Sequence, residues 1–287
     1  MEIQWFPGHM TKTRRQMEED IRLVDLVVEV VDARIPGSSK NPYLEDIWSR
    51  RPRVLAFNKS DLADPSATAA WKAWYEGKGY GVVEVNSVKG TGVSAVLAKA
   101  EEVCQKRREK EMRKGMKARP LRMMITGIPN VGKSTLINQL AGRSGAAKTG
   151  NKPGVTRGKQ WVKLRGNMEL LDTPGMLWPK FENQEQAARI AMVGSIKDEL
   201  LDMDDLAFEL VKYLQKAYPE GLLERYKLDG EDLALPAVEL VEAIGRKRGF
   251  LVSGGEIDFT RTSRMLLDEF RSGKMGRISL EQPLEDQ

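Results

Sequence analysis

The first two-thirds of the chain alternates short apolar runs with longer stretches of mixed polarity. Leu26-Val27-Val28-Glu29-Val30-Val31 ends at Asp32, and Arg53-Val54-Leu55-Ala56-Phe57 ends at Asn58. Gly81 to Val85 ends near Ser87, Leu121 to Thr126 leads into a glycine-rich loop, and Met168 to Leu171 ends at Asp172. Short, nearly continuous apolar runs rich in β-branched residues are the pattern of parallel strands covered on both faces. Between them, residues 66–78 and 93–104 read as helices. The second carries Val93, Val96, Leu97, Ala100 and Cys104 at helical spacing. Strand alternating with helix predicts an α/β fold with a mainly parallel sheet.

Beyond about residue 182 the strand pattern gives way to helical periodicity. Asp204 is positioned to cap a helix bearing Ala207, Leu210, Val211, Leu214 and Tyr218 on one face. Pro236 suits a first helical position with Gly249 as the stop, and Gly273 closes a helix after Leu266, Leu267 and Phe270. Residues 277–280 read as a short terminal strand. The expected organisation is therefore a polar, basic arm over 1–20, an α/β domain over 21–182 and an all-helical domain over 183–287. Residues 105–120 read as a charged helix end and linker, and the Gly/Lys-rich stretch from Ser144 to Lys159 as a mobile loop.

Composition narrows the functional classes. A length of 287 residues accommodates about two domains. A net charge of +5 permits a polyanionic partner without establishing one. One cysteine and one histidine exclude an internal disulfide and a structural zinc site. Cys104 reads as a small buried side chain on a helix. No apolar run approaches the ~20 residues of a membrane helix, and the first residues lack the charged start and apolar middle of a signal peptide. A cytoplasmic, monomeric protein is expected.

Gly127-Ile128-Pro129-Asn130-Val131-Gly132-Lys133-Ser134 matches the phosphate-loop pattern between a strand and a helix that opens near Thr135. Phosphates need backbone N–H groups pointing inward with no side chain in the way, which Gly127 and Gly132 allow. The helix N-terminus adds its partial positive charge. Lys133 supplies a point charge for the outer phosphates and Ser134 a hydroxyl for Mg²⁺. This motif alone does not separate ATP from GTP. Asn58-Lys59-Ser60-Asp61 makes that distinction, because it resembles the guanine-specificity motif of GTPases. A carboxylate at Asp61 accepts from two adjacent donors that guanine has and adenine lacks. Asn58 and Lys59 brace the loop. Ser87-Val88-Lys89 resembles the weaker Ser-Ala-Lys base contact, with its middle residue departing from the pattern.

Asp172-Thr173-Pro174-Gly175 matches the Asp-x-x-Gly motif, in which Asp172 holds Mg²⁺ through a water and the Gly175 amide senses the γ-phosphate. Thr156, in Pro153-Gly154-Val155-Thr156, resembles the first-switch threonine that completes the Mg²⁺ shell, with Thr149 as the alternative. Met176 stands where many signalling GTPases carry the water-orienting glutamine, so hydrolysis is expected to be slow unless another group substitutes. His9 is one candidate; an ordinary surface or packed histidine is the other reading.

The base motif precedes the phosphate loop, the reverse of an ordinary GTPase. A doubly wound sheet tolerates this, since its ligand loops gather at the strand ends whatever the chain order. The cut falls just after Gly175, so the second switch runs directly into the helical segment. The fold class expected is thus a circularly permuted P-loop GTPase domain followed by an all-helical domain.

The permuted order, the arm Trp5-Phe6-Pro7-Gly8-His9-Met10, Asp32-Ala33-Arg34-Ile35-Pro36 and the phosphate loop itself resemble ribosome biogenesis GTPase A, the YlqF-type family. The resemblance spans essentially the whole chain. It implies late assembly of the large ribosomal subunit, with the helical domain touching ribosomal RNA on the subunit precursor and the subunit stimulating hydrolysis. It raises the standing of His9 as the catalytic substitute, and it matches Asn130 to the asparagine that holds K⁺ in potassium-stimulated GTPases. Nucleotide contacts are accordingly expected from Asn58, Lys59, Asp61, Ser87, Gly127, Asn130, Val131, Gly132, Lys133, Ser134, Thr135 and Gly175. Mg²⁺ contacts are expected from Ser134, Thr156 and Asp172, and catalytic roles from His9, Lys133 and Thr156. The basic residues Arg246, Lys247, Arg248, Arg261, Arg264, Arg271, Lys274 and Arg277 are either a phosphate-binding face or an ordinary solvated one. A GTP-dependent switch for a protein partner, without an RNA role, stands as the alternative function.

Overall fold

The computed structural model describes residues 10–116, 119–142, 161–173, 177, 181 and 183–283. They form two compact units, one from residues up to 177 together with those from Glu281 onward, the other from Phe181 to Leu280.

In the first unit, α1 (Met10–Asp20) leads into β1 (Leu26–Asp32), followed by the short α2 (Glu45–Trp48), β2 (Arg53–Asn58), α3 (Pro65–Gly77), β3 (Gly81–Val85), α4 (Val93–Arg113), β4 (Leu121–Thr126), α5 (Lys133–Ala141), β5 (Trp161–Leu164) and β6 (Met168–Asp172). Among the described residues the strands form one sheet in the order β3-β2-β1-β4-β6-β5. All neighbours run parallel except β5, which pairs antiparallel with β6. From β1 the chain builds outward through β2 to β3; from β4 it builds the other way. The switch point therefore lies between β1 and β4, where an open α/β sheet leaves a crevice for ligand.

The apolar runs end up where their composition requires. Every residue of β1 is buried. One face packs Met17, Ile21, Val27, Ile47 and Trp48 together, and another cluster joins Val31, Leu55, Phe57, Trp71 and Tyr75. Cys104 is buried on α4, and burial pushes its thiol up to about 11. Two elements differ from expectation. Residues read as arm form α1, with Met17 as its buried anchor. The strand Trp161–Leu164 was not expected, since four residues at a sheet edge carry too little pattern to stand out.

The helical unit contains α6 (Gln184–Met192), α7 (Met203–Ala217), α8 (Pro219–Tyr226), α9 (Gly230–Ala234), α10 (Ala237–Lys247) and α11 (Phe259–Arg271). Leu206, Leu210, Val211 and Leu214 on α7 are buried with Leu240, Val241 and Ile244 on α10 and Leu266, Leu267 and Phe270 on α11. The cap of α7 is Asp202, whose carboxylate accepts from the Asp204 and Asp205 amides at 3.1 Å, so Asp204 sits in the first turn instead. Residues 277–280 carry no strand, and Glu281 belongs to the sheet-containing unit, where its carboxylate finds the donors described below.

Candidate nucleotide site

Asp32 closes β1, Asn58 closes β2 and Gly127 follows β4, all at the same end of the sheet. The register pairs Asp32 with Asn58, which brings the base motif alongside the switch point.

One buried amide joins three loops. Asn58 Nδ2 donates to the Val131 carbonyl at 2.7 Å, and Asn58 Oδ1 accepts from the Ser87 amide at 3.0 Å and the Ser87 hydroxyl at 2.7 Å. Only a side chain with a donor on one side and an acceptor on the other can do this; an aspartate there would lose the bond to the phosphate loop. Lys59 takes a left-handed backbone, φ +59°, a conformation that costs a non-glycine residue about 1 kcal/mol or more. Its ammonium lies 2.9 Å from Asp32 Oδ2. Asp61 keeps a partly exposed carboxylate, 3.7 Å from Lys89 Nζ. The Val88 and Lys89 amides donate to Asn86 Oδ1 at 3.0 and 2.9 Å, which folds the loop after β3 back on itself.

The phosphate loop is built around Lys133 and Gly132. The Lys133 ammonium is buried and donates to the Gly127 and Ile128 carbonyls at 3.1 and 3.0 Å, so a fixed positive charge sits within the loop. Gly132 has φ +99°, and a Cβ there would overlap the Asn58 amide nitrogen. A Cβ at Gly127 would overlap the Val30 carbonyl oxygen on the neighbouring strand. Helix α5 starts on Gly132, which has no side chain to cap it. The partial positive charge of this helix start, at Lys133, Ser134 and Thr135, suits an anion. Asn130, also left-handed at φ +57°, is exposed at the rim, whereas Val131 is buried beneath.

These residues fit a phosphate-bound divalent cation in their chemistry. Ser134 offers a half-exposed hydroxyl on the first turn, and the β4–β6 register pairs Ile125 with Asp172, setting the end of β6 beside the strand that feeds the loop. The Thr173 hydroxyl donates to the Ile125 carbonyl and fixes that end. His9, Thr149, Thr156, Gly175 and Met176 lie outside the described residues, as does the Asp172 side chain.

Asp32 and Arg34 were missed as functional candidates. Both are buried, and they pair through Arg34 Nε and Nη2 at 2.9 and 2.8 Å. Burial would raise the Asp32 carboxyl, but Arg34 and then Lys59 outweigh it and hold the group far below the usual carboxylate range. The signal was a polar Asp-x-Arg placed directly at the end of a fully buried strand.

In the helical unit the basic residues divide into two groups. Arg271 is structural: it donates to the Met192 and Ala191 carbonyls at 3.0 Å each and pairs with Asp198 at 2.8 Å. Arg248 faces Glu269 at 3.6 Å. Arg246, Lys247, Arg261, Arg264, Lys274 and Arg277 are exposed, although Arg246 and Lys247 also pair with Glu242 and Asp232 at 2.6 and 2.7 Å.

Residues 122–225 match the 50S ribosome-binding GTPase family. That match starts on β4 and leaves out Asn58–Asp61, as an inverted motif order requires. Ribosome biogenesis GTPase A of Bacillus licheniformis is 47% identical over 99% of this chain and 99% of its own length. The Bacillus cereus protein of the same name is 46% identical over 99% of this chain and 95% of its own. Among solved structures, GNP-bound YlqF from T. maritima aligns with a TM-score of 0.67 at 29% identity, covering 96% of this chain and 100% of that one. With the base motif tied to the phosphate loop in reversed chain order and relatives matched end to end, the chain belongs to the ribosome biogenesis GTPase A family and is a GTP-binding, GTP-hydrolysing enzyme.

Proposed function

We propose that this GTPase acts in late assembly of the large ribosomal subunit, binding the subunit precursor and its ribosomal RNA in the GTP state and releasing them after hydrolysis. The ribosomal role is supported by the end-to-end similarity to ribosome biogenesis GTPase A, and the nucleotide site by the Asn58–Val131 hydrogen bond of 2.7 Å, which links the proposed base-reading and phosphate-binding loops. In that site, Asp61 reads the guanine edge, Lys59 covers the base, and Ser87 supports Asn58. Gly127 to Thr135 wrap the phosphates. Ser134, Thr156 and Asp172 would hold Mg²⁺, which would supply charge neutralisation for the phosphates. Asn130 holds K⁺, and His9 orients water in place of the glutamine that Met176 replaces. The exposed Arg246, Lys247, Arg261, Arg264, Lys274 and Arg277 support backbone contacts to RNA from the helical domain. The cytoplasm is the compartment this role requires, and the protein works there as a monomer.

The test is co-sedimentation with purified large-subunit particles in a non-hydrolysable GTP analogue, in GDP and without nucleotide, across a salt series. Binding confined to the GTP analogue and falling steeply with salt is expected, with GTP turnover rising when particles are added. Nucleotide-independent or salt-insensitive binding would favour a protein partner and remove the RNA role.

A further inference from the structure

We infer that Glu281, on the segment of chain that follows the helical unit, is a positioning residue for the guanine-reading loop, acting through the turn after β1 on Asp32 and Lys59. The inference rests on Asn58–Asp61 being the base-reading loop. Lys59 holds a left-handed backbone, and its ammonium is anchored by the ion pair to Asp32 at 2.9 Å. Asp32 is in turn fixed from the turn that runs over 33–39. Its backbone amide donates to the Ser39 hydroxyl at 3.1 Å, that hydroxyl donates to the Ile35 carbonyl at 2.7 Å, and its carboxylate accepts from the Arg34 amide at 3.1 Å as well as from the guanidinium. The Ala33 amide donates to the Asn58 carbonyl at 2.8 Å, so the same turn is stitched directly to the base motif.

What holds this turn from the outside is Glu281. One carboxylate oxygen accepts from the Gly37 amide and from the Ser38 amide at 2.9 Å, and the other accepts from the Ser38 hydroxyl. The Glu281 carbonyl accepts from the Trp71 indole at 3.2 Å, and Tyr75, one helical turn on, donates its hydroxyl to the Pro36 carbonyl at 3.2 Å. A buried carboxylate bound by adjacent backbone amides and a hydroxyl is a strong, directional fixture. It comes from residue 281, immediately after the last residue of the helical unit. Whatever draws on that segment of chain thus draws on the turn that sets Lys59.

The experiment measures release of a fluorescent GDP analogue from full-length protein by stopped flow. Glu281→Ala is expected to speed release about tenfold, the equivalent of ~1.4 kcal/mol. Glu281→Gln, which keeps the size and one acceptor but not the charge, is expected to give a smaller increase and guards against a variant that fails to fold. In a Lys59→Met background, Glu281→Ala is expected to add less than about twofold, because the path to the base is already cut. Unchanged release in both Glu281 variants, even with lowered thermal stability, would reduce the residue to a structural role. A full additive effect in the Lys59→Met background would overturn the route through Lys59. Asp61→Asn, run in parallel against xanthine nucleotide, tests the base-reading assignment separately: retained guanine selectivity there removes that assignment whatever Glu281 does.

Discussion

Replacing Glu29 by glutamine should change the pH dependence of stability in a calculable way. Glu29 lies mid-strand on β1, fully buried, beside Leu55 on β2 and Thr126 on β4. Neither carboxylate oxygen has a hydrogen-bond partner among the described residues. The nearby cation, Arg53 at 3.9 Å, is committed to Glu45 and the Tyr80 hydroxyl. Burial therefore dominates over Lys40 and Arg53 and pushes the carboxyl from an ordinary 4.5 up to about 7. Between those two values the folded chain holds a proton that the unfolded chain has released, so stability falls as pH rises through this window. At 1.36 kcal/mol per pH unit the full loss is about 3 kcal/mol, most of it between pH 5 and pH 8. Glutamine has no such titration. The stability of Glu29→Gln minus wild type should rise by about 2–3 kcal/mol from pH 5 to pH 8, and any constant packing cost cancels in that difference. Urea unfolding followed by tryptophan fluorescence reads the right unit, because all six tryptophans precede residue 181. With a slope of roughly 2 kcal/mol per molar, the relative midpoint should move by about 1 M. A difference that stays flat from pH 5 to pH 8 refutes the reasoning. One that falls means the Arg53 attraction outweighs burial.

Two further outcomes follow from the site and the helical unit. Gly132→Ala should weaken guanine nucleotide binding by about 100-fold or more in equilibrium titration, since the new methyl overlaps the Asn58 amide at a backbone φ of +99°; affinity within tenfold of wild type would contradict it. Glu269→Gln should lower the helical unit's stability by about 1–3 kcal/mol in far-ultraviolet circular dichroism melts. Its carboxylate serves Arg225, the Tyr226 hydroxyl at 2.9 Å and Arg248 at 3.6 Å, and glutamine leaves both cations without their counter-charge.

Most of the sheet was legible because parallel strands covered on both faces are largely apolar, and β1, β2, β3 and β4 are such runs, broken mainly by Glu29, Glu84 and Arg122. The elements that escaped notice are held by tertiary contact and carry little pattern of their own. Met10–Asp20 is polar almost throughout and owes its place to Met17. Trp161–Leu164 is four residues at an edge, recruited by pairing with Met168–Leu171. Asp202 and Asp204 are equally good caps in sequence, and only the start of α7 chooses between them. In the site, Lys133, Asp61 and Gly132 were singled out by motif spacing. The Asn58–Val131 bond could not be, because it spans 73 positions of chain and depends on strand order. The contacts of Glu281 were invisible for the same reason, whereas Asp32 and Arg34 were in view as a motif whose partners were not.

Strand order also explains why inverting the motifs leaves the site intact. Adjacency in this sheet puts β1 between the strand that delivers Asn58 and the strand that delivers the phosphate loop, so both loops emerge at the same end of the sheet on either side of β1. No covalent connection between them is needed there. What the permutation does change is what lies beside the site in sequence. Asp172, the end of β6, precedes the start of the helical unit at Phe181 with no further strand between them among the described residues, and the helical unit ends at Leu280, directly before Glu281. The helical unit is thus tied into the GTPase chain at two points. One follows the end of β6, and the other is Glu281, whose carboxylate holds the turn at Gly37 and Ser38. In an unpermuted order the first of these would lead on to further strands of the same sheet, and a change at the phosphate end would have no covalent route to a second unit.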